Sequence, residues 1–224
     1  RFAVLDGLAA PVADDEATDL ALASLSDQQA RPWLLAPVYE RLRGGKGEFL
    51  TELRPAVALF LRFAGIDYDG DARAELKLNA FVQWVQRVLG RYGASLLQLT
   101  IGDKGSYLYA AFGAPVAHED NAVRAVLAAL ELRQPPQSFI GSVQIGISQG
   151  RMRTGVNTAA RLMQAARPGQ ILVSLAARKS TGDMFAWEAL PPLQMKGKSL
   201  AVTAFAAQGT RERRALRLHE PAYS

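Results

Sequence analysis

The chain has 224 residues, 49% of them hydrophobic and 21% charged, a globular composition that excludes disorder as the main state. Zero cysteines and two histidines exclude a disulfide framework, thiolate zinc sites, a cysteine nucleophile and a histidine-rich metal centre, and suit an intracellular protein. The 26 basic residues exceed the 21 acidic ones by five, and Arg211, Arg213, Arg214 and Arg217 hold most of that excess, so a solvated basic tail is expected on a nearly neutral body, with no nucleic acid as partner.

No apolar run approaches the roughly 20 residues of a membrane span. Residues Arg1 to Asp6 lack the apolar core of a signal peptide. A soluble, cytoplasmic protein is the expectation, and a chain without an initiating Met reads as a piece of something longer. Residues 1–52 read as a linker or packing arm. Asp14-Asp15-Glu16 opens a short helical pattern, and an apolar-periodic stretch from Trp33 to Leu42 is framed by Pro32, Pro37 and the Gly44-Gly45-Lys46-Gly47 break.

The apolar run after Pro55 predicts a buried central strand ending in the carboxylate-rich turn Asp67-Tyr68-Asp69-Gly70-Asp71. From Ala72 to Tyr92, Leu78, Phe81, Val85, Val88, Leu89 and Tyr92 recur at helical spacing, with Gln83, Gln86, Arg87 and Arg91 on the other face. Strands at 96–101 and 106–112 flank Gly102-Asp103-Lys104-Gly105, a tight polar turn that predicts a hairpin. A second helix follows Glu119-Asp120 and stops at Pro135-Pro136. A strand is expected from Ser142 to Met152, a helix from Val156 to Ala166 closed by Arg167-Pro168-Gly169, then strands at 171–174, 185–190 and 202–206 with a short helix at 175–180. The order predicts an α+β domain over residues 53–208, a ferredoxin-like βαββαβ core with a C-terminal αβαβ extension and a mainly antiparallel sheet, followed by the basic tail 209–224.

Three stretches carry candidate chemistry. Asp103, at the hairpin tip, sits where a carboxylate could meet the end of the first strand, near Asp67 and Asp69, in a setting suited to Mg²⁺; simple turn chemistry explains a Gly-Asp equally. Asn157 and Arg161 are four residues apart, so on a helix they share a face and could address one phosphate, or form an ordinary surface pair. Met195-Lys196-Gly197-Lys198 is a basic turn or a solvated loop.

Taken in order, these stretches resemble the class III nucleotide cyclases, the catalytic domain of adenylyl and guanylyl cyclases. The likeness rests on Leu59-Phe60-Leu61-Arg62-Phe63-Ala64-Gly65-Ile66, Thr100-Ile101-Gly102-Asp103 leading to Ala110-Ala111-Phe112-Gly113, Gly146-Ile147-Ser148-Gln149-Gly150, the Asn157-to-Arg161 helix start and Lys196-Gly197-Lys198. Asp103-Lys104-Gly105 and Arg31-Pro32-Trp33 look most like the second cyclase homology domain of bacterial soluble-adenylyl-cyclase-type proteins.

The resemblance implies a dimer with shared sites. One half holds two Mg²⁺ or Mn²⁺ ions through two aspartates; the other supplies an asparagine, an arginine and a lysine to the nucleotide, and ATP becomes cyclic AMP and pyrophosphate. On this chain Asn157, Arg161 and Lys196 match the catalytic set, Gly102 and Lys196 the substrate-binding set, and Asp103 one metal aspartate. Another cyclase homology domain, in tandem or as a dimer mate, is the implied partner.

The departures point to a metal-poor half, or to an inactive pseudo-cyclase that regulates a neighbour. Gly65 stands where the family pattern places the other metal aspartate. Gln98 and Leu99 occupy the positions where a base-reading lysine would stand. The pattern also calls for a hairpin between Gly155 and Val156 carrying a base-contacting residue, and the expectation is a mobile loop that goes unseen rather than a deletion. An RNA-binding ferredoxin-like domain is disfavoured, because no strand has the aromatic, glycine-containing stacking pattern.

Overall fold

The computed structural model describes residues 26–34, 36–44, 56–102, 105–114, 116–150, 152–194 and 201–211. The chain divides into two compact units, Arg1–Thr51 and Glu52–Ser224. In the first, helix α1 (Asp27–Ala30) runs into a 3-10 turn (Arg31–Trp33), and α2 spans Ala36–Arg43. The Ser26 N–H donates to the Gln29 side-chain oxygen at 2.9 Å, which ties down the start of α1. Pro37 falls in the first turn of α2, where a missing N–H costs nothing. Trp33 is 87% exposed. The helical pattern read at Asp14-Asp15-Glu16 and most of the glycine break lie outside the described residues, as does the tail beyond Arg211.

The second unit is a seven-stranded sheet in the order β2-β3-β1-β4-β5-β7-β6. Its elements are β1 (Ala56–Ala64), α3 (Ala74–Arg91), β2 (Ala94–Thr100), β3 (Ser106–Phe112), α4 (Asn121–Leu132), β4 (Ser142–Gly150), α5 (Met152–Ala165), β5 (Ile171–Ser174), α6 (Leu175–Lys179), β6 (Phe185–Ala189) and β7 (Ala204–Thr210). All neighbouring strands run antiparallel except β4 and β5. The βαββαβ core is therefore as predicted. In the extension the strands expected at 171–174, 185–190 and 202–206 appear as β5, β6 and β7, and β7 inserts between β5 and β6. No helix is long and apolar enough to cross a membrane among the described residues.

Strand β1 reads as continuous apolar sequence because both of its faces are covered. Leu59, Leu61 and Phe63 join Phe81, Val85, Val88 and Leu89 of α3 and Val126, Ala129 and Leu132 of α4 in the main core. Each of the larger side chains buried there contributes about 1.5–3 kcal/mol. Ala58 and Phe60 face the other way, toward Ala159 and Met163 of α5. A second small cluster joins Leu162 and Ala166 to Leu172, Ala204 and Ala206. Helix α5 presses against β4 at Gly146, where an added Cβ would fall 2.2 Å from both the Ala159 carbonyl oxygen and the Met163 nitrogen, so only glycine fits.

Two boundaries differ from the expectation. Strand β4 stops at Gly150, and α5 begins at Met152 and runs unbroken through Gly155 and Val156. Helix α5 thus passes through the Gly155–Val156 step without a hairpin. A single residue, Arg151, separates strand from helix.

Candidate functional site

The carboxyl end of β1 and the base of the β2–β3 hairpin lie side by side, since Phe63 pairs with Ser106 across β1 and β3. The Tyr68 hydroxyl and the Ser106 hydroxyl, 2.9 Å apart, tie the loop after β1 to the same place. Gly65 closes β1 with φ of +117°, a conformation open in practice only to glycine. A Cβ at this position would lie 2.1 Å from the Phe139 carbonyl oxygen and 2.7 Å from the Gly141 nitrogen. The Gly141 N–H donates to the Ala64 carbonyl at 2.9 Å, so the segment between α4 and β4 is laced directly onto the strand end. Its backbone occupies the volume that a metal-binding aspartate would need.

Two of the nearby carboxylates, Asp67 and Asp71, are otherwise engaged. Asp67 accepts from the backbone N–H of Asp69 at 3.2 Å and of Gly70 at 2.9 Å, holding its own turn. Asp71 accepts from the Lys77 ammonium and from the Arg73 N–H. The Lys77 hydrogen bond, helped by the Arg73 N–H, keeps the Asp71 carboxyl below the ordinary carboxylate range. No group of three or more His, Asp or Glu side chains is placed to hold a metal ion among the described residues. Among the described residues, a two-metal centre does not fit what the end of β1 offers.

Of the site residues named from the sequence, three lie within the described structure. Gly102 is exposed, accepts the Gly105 N–H at 2.8 Å and would have open space around an added Cβ. Asn157 and Arg161 stand one turn apart on α5, away from the side that Val156, Ala159, Ala160 and Met163 turn to the sheet. Asn157 is exposed and Arg161 half-buried, and neither has a hydrogen-bond or ion-pair partner among the described residues. Asp103 and Lys196 lie outside the described residues.

Sequence reasoning passed over Arg62. Alternation along β1 puts it on the α5 side with Phe60, directly across from Tyr107 and Gln144. Its Nε and Nη2 lie 3.1 Å from where a Gly105 Cβ would be, so the guanidinium rests on the hairpin base. The available signal was one cation inside an otherwise apolar nine-residue strand. On the same face Phe60 stacks on Tyr109 with centroids 4.8 Å apart and rings 12° from parallel, and burial pushes the Tyr109 phenol above its ordinary range.

This arrangement of sheet and helices recurs in solved structures. The guanylate cyclase domain of RhGC from Catenaria anguillulae, in complex with GTP, superposes with a TM-score of 0.64 at 20% identity, over 72% of this chain and 100% of that one. The chain has the class III nucleotide cyclase fold. The adenylyl cyclase CyaB from P. aeruginosa matches this cyclase fold with a TM-score of 0.61 at 20% identity, covering 73% of this chain and 97% of its own. A non-canonical dimeric guanylyl cyclase domain of the RhoGC fusion protein from the aquatic fungus Blastocladiella emersonii gives 0.62 at 19% identity, over 72% and 98%. No family model and no curated protein matches the sequence.

Proposed function

We propose that this cyclase-fold domain is the metal-poor half of an adenylyl cyclase pair, tandem or heterodimeric, that converts ATP to cyclic AMP and pyrophosphate in the cytoplasm. A partner cyclase homology domain supplies the aspartates for the Mg²⁺ or Mn²⁺ ions; Asp103 is the carboxylate this chain would add. Asn157 orients the ribose so that its 3′-hydroxyl lies in line with the α-phosphorus. Arg161 and Lys196 offset the charge that develops on the phosphates, and Gly102 lets the nucleotide approach the hairpin closely. The physical requirements are those of phosphoryl transfer in general, in-line geometry and fixed positive charge.

The observation that carries this reading is the closed end of β1, where backbone fills the place of a metal carboxylate while the outward Asn157 and Arg161 have no partner among the described residues. The chain alone should form little cyclic AMP from ATP. Mixed with a cyclase domain that retains both aspartates, it should form cyclic AMP at a rate that Arg161→Ala lowers by a hundredfold or more, on the order of what one transition-state donor supplies, with an unchanged circular dichroism spectrum. A rate indifferent to Arg161→Ala would overturn the proposal.

The direct β4–α5 junction favours a second reading, a pseudo-cyclase that pairs with a neighbouring domain and regulates it, since the base-contacting hairpin is gone. It predicts that the mixed pair turns over no faster than the partner alone while the partner's affinity for ATP changes.

A further inference from the structure

Arg62 is a half-buried cation with no counter-ion among the described residues. Its cross-strand neighbours are uncharged: Tyr107 on one side and, on the other, Gln144, whose amide is spent on the Ala166 carbonyl. The guanidinium has five N–H donors, and none donates to a described acceptor. Taking a lone charge partly out of water is costly unless an anion completes it, and a planar fork of donors matches the oxygens of a phosphate. Gly105, with φ of +93° and no side chain, lets the guanidinium lie flat at the hairpin base. This cation therefore stands beside the strand end where Gly65 leaves no carboxylate for a divalent ion.

The geometry points to Arg62 as a phosphate-binding residue, a fixed cation that holds the polyphosphate tail of a nucleotide at the base of the β2–β3 hairpin without a divalent metal. The inference rests on the reading that this end of the sheet faces a nucleotide. A rival anion site is weaker. Arg133 and Arg167 line a pocket of about 170 Å³ beside β7, but they follow the carboxyl ends of α4 and α5, where the negative end of a helix dipole disfavours an anion.

The test is titration calorimetry of the full 224-residue chain with sodium tripolyphosphate in excess EDTA. The native chain should bind, with an affinity that added Mg²⁺ does not raise. Arg62→Met, which keeps an unbranched stem on Gly105 but removes the charge, should weaken binding about tenfold or more, as expected for losing one charge-assisted fork. Arg62→Lys, which keeps the charge and loses the fork, should fall between the two. Arg167→Met, an equal change in net charge at the pocket, should leave binding unchanged. No binding in EDTA, binding that appears only with Mg²⁺, or equal losses in the Arg62→Met and Arg167→Met variants would each overturn the inference. The cyclase-pair reading is decided separately, by product formation and Arg161→Ala. Metal-free binding that depends on Arg62, in a chain that never supports turnover, would count against the pair and not against Arg62.

Discussion

Restoring an aspartate at position 65 should fail to restore a metal site. The substitution places a Cβ 2.1 Å from the Phe139 carbonyl oxygen and 2.7 Å from the Gly141 nitrogen, both backbone atoms that cannot swing aside. It also demands φ of +117° from a residue with a side chain, a strain of about 1–3 kcal/mol. Overpacking adds a similar amount, and pushing the loop away sacrifices the bond from the Gly141 N–H to the Ala64 carbonyl, about 1 kcal/mol. Because the Cβ causes all three losses, Gly65→Ala and Gly65→Asp should both lose at least about 3 kcal/mol of unfolding free energy, a large part of the 5–15 kcal/mol typical of a domain. Urea denaturation followed by circular dichroism gives that number. Calorimetry with Mn²⁺ should show no site gained by Gly65→Asp over Gly65→Ala. A Gly65→Asp protein as stable as the native one, binding Mn²⁺ in proportion, would refute the steric reasoning.

Three further perturbations bear on the frame around the site. Gly146→Ala should cost about 2 kcal/mol or more by forcing α5 off β4, and the same denaturation assay reads it. Asp120→Ala removes one partner of Arg124, which is only 5% exposed and bonded to Asp120 at 2.5 Å; a loss of about 1–3 kcal/mol is expected, seen as a lower thermal midpoint. Asp71 has a lowered pKa in the folded chain, so its contribution is complete above the unfolded value of about 3.9 and fades as pH falls through the lower folded value. Thermal midpoints of native protein and Asp71→Asn should therefore differ by a constant amount above pH 5 and converge below pH 4.

The regular elements were legible where hydrophobic periodicity was long. The stripe Phe81, Val85, Val88 and Leu89 lies wholly within the core, and the turn at Gly102 to Gly105 joins two antiparallel strands. The first turns of α5 were not legible, because Met152-Arg153-Thr154-Gly155 has no apolar repeat; the chain reverses there because α5 is captured by β1, β4 and β5. The returning strand β7 was visible as apolar sequence, but its insertion between β5 and β6 depends on pairing that no local pattern encodes. At the candidate site, Gly65 could be read as a missing carboxylate. That Phe139 blocks the position is a contact between distant parts of the chain, invisible to any window of sequence. Arg62 was visible as an oddity, and it gained meaning only when Gly105 came to lie under it.

The one-residue joint between β4 and α5 has a consequence for selectivity. A joint that short has no slack from which to extend a tongue toward a purine. If the cyclase-pair proposal holds, the choice between adenine and guanine would fall to the mate. On that proposal, exchanging the mate's purine-facing side chains should switch the product of the whole assembly.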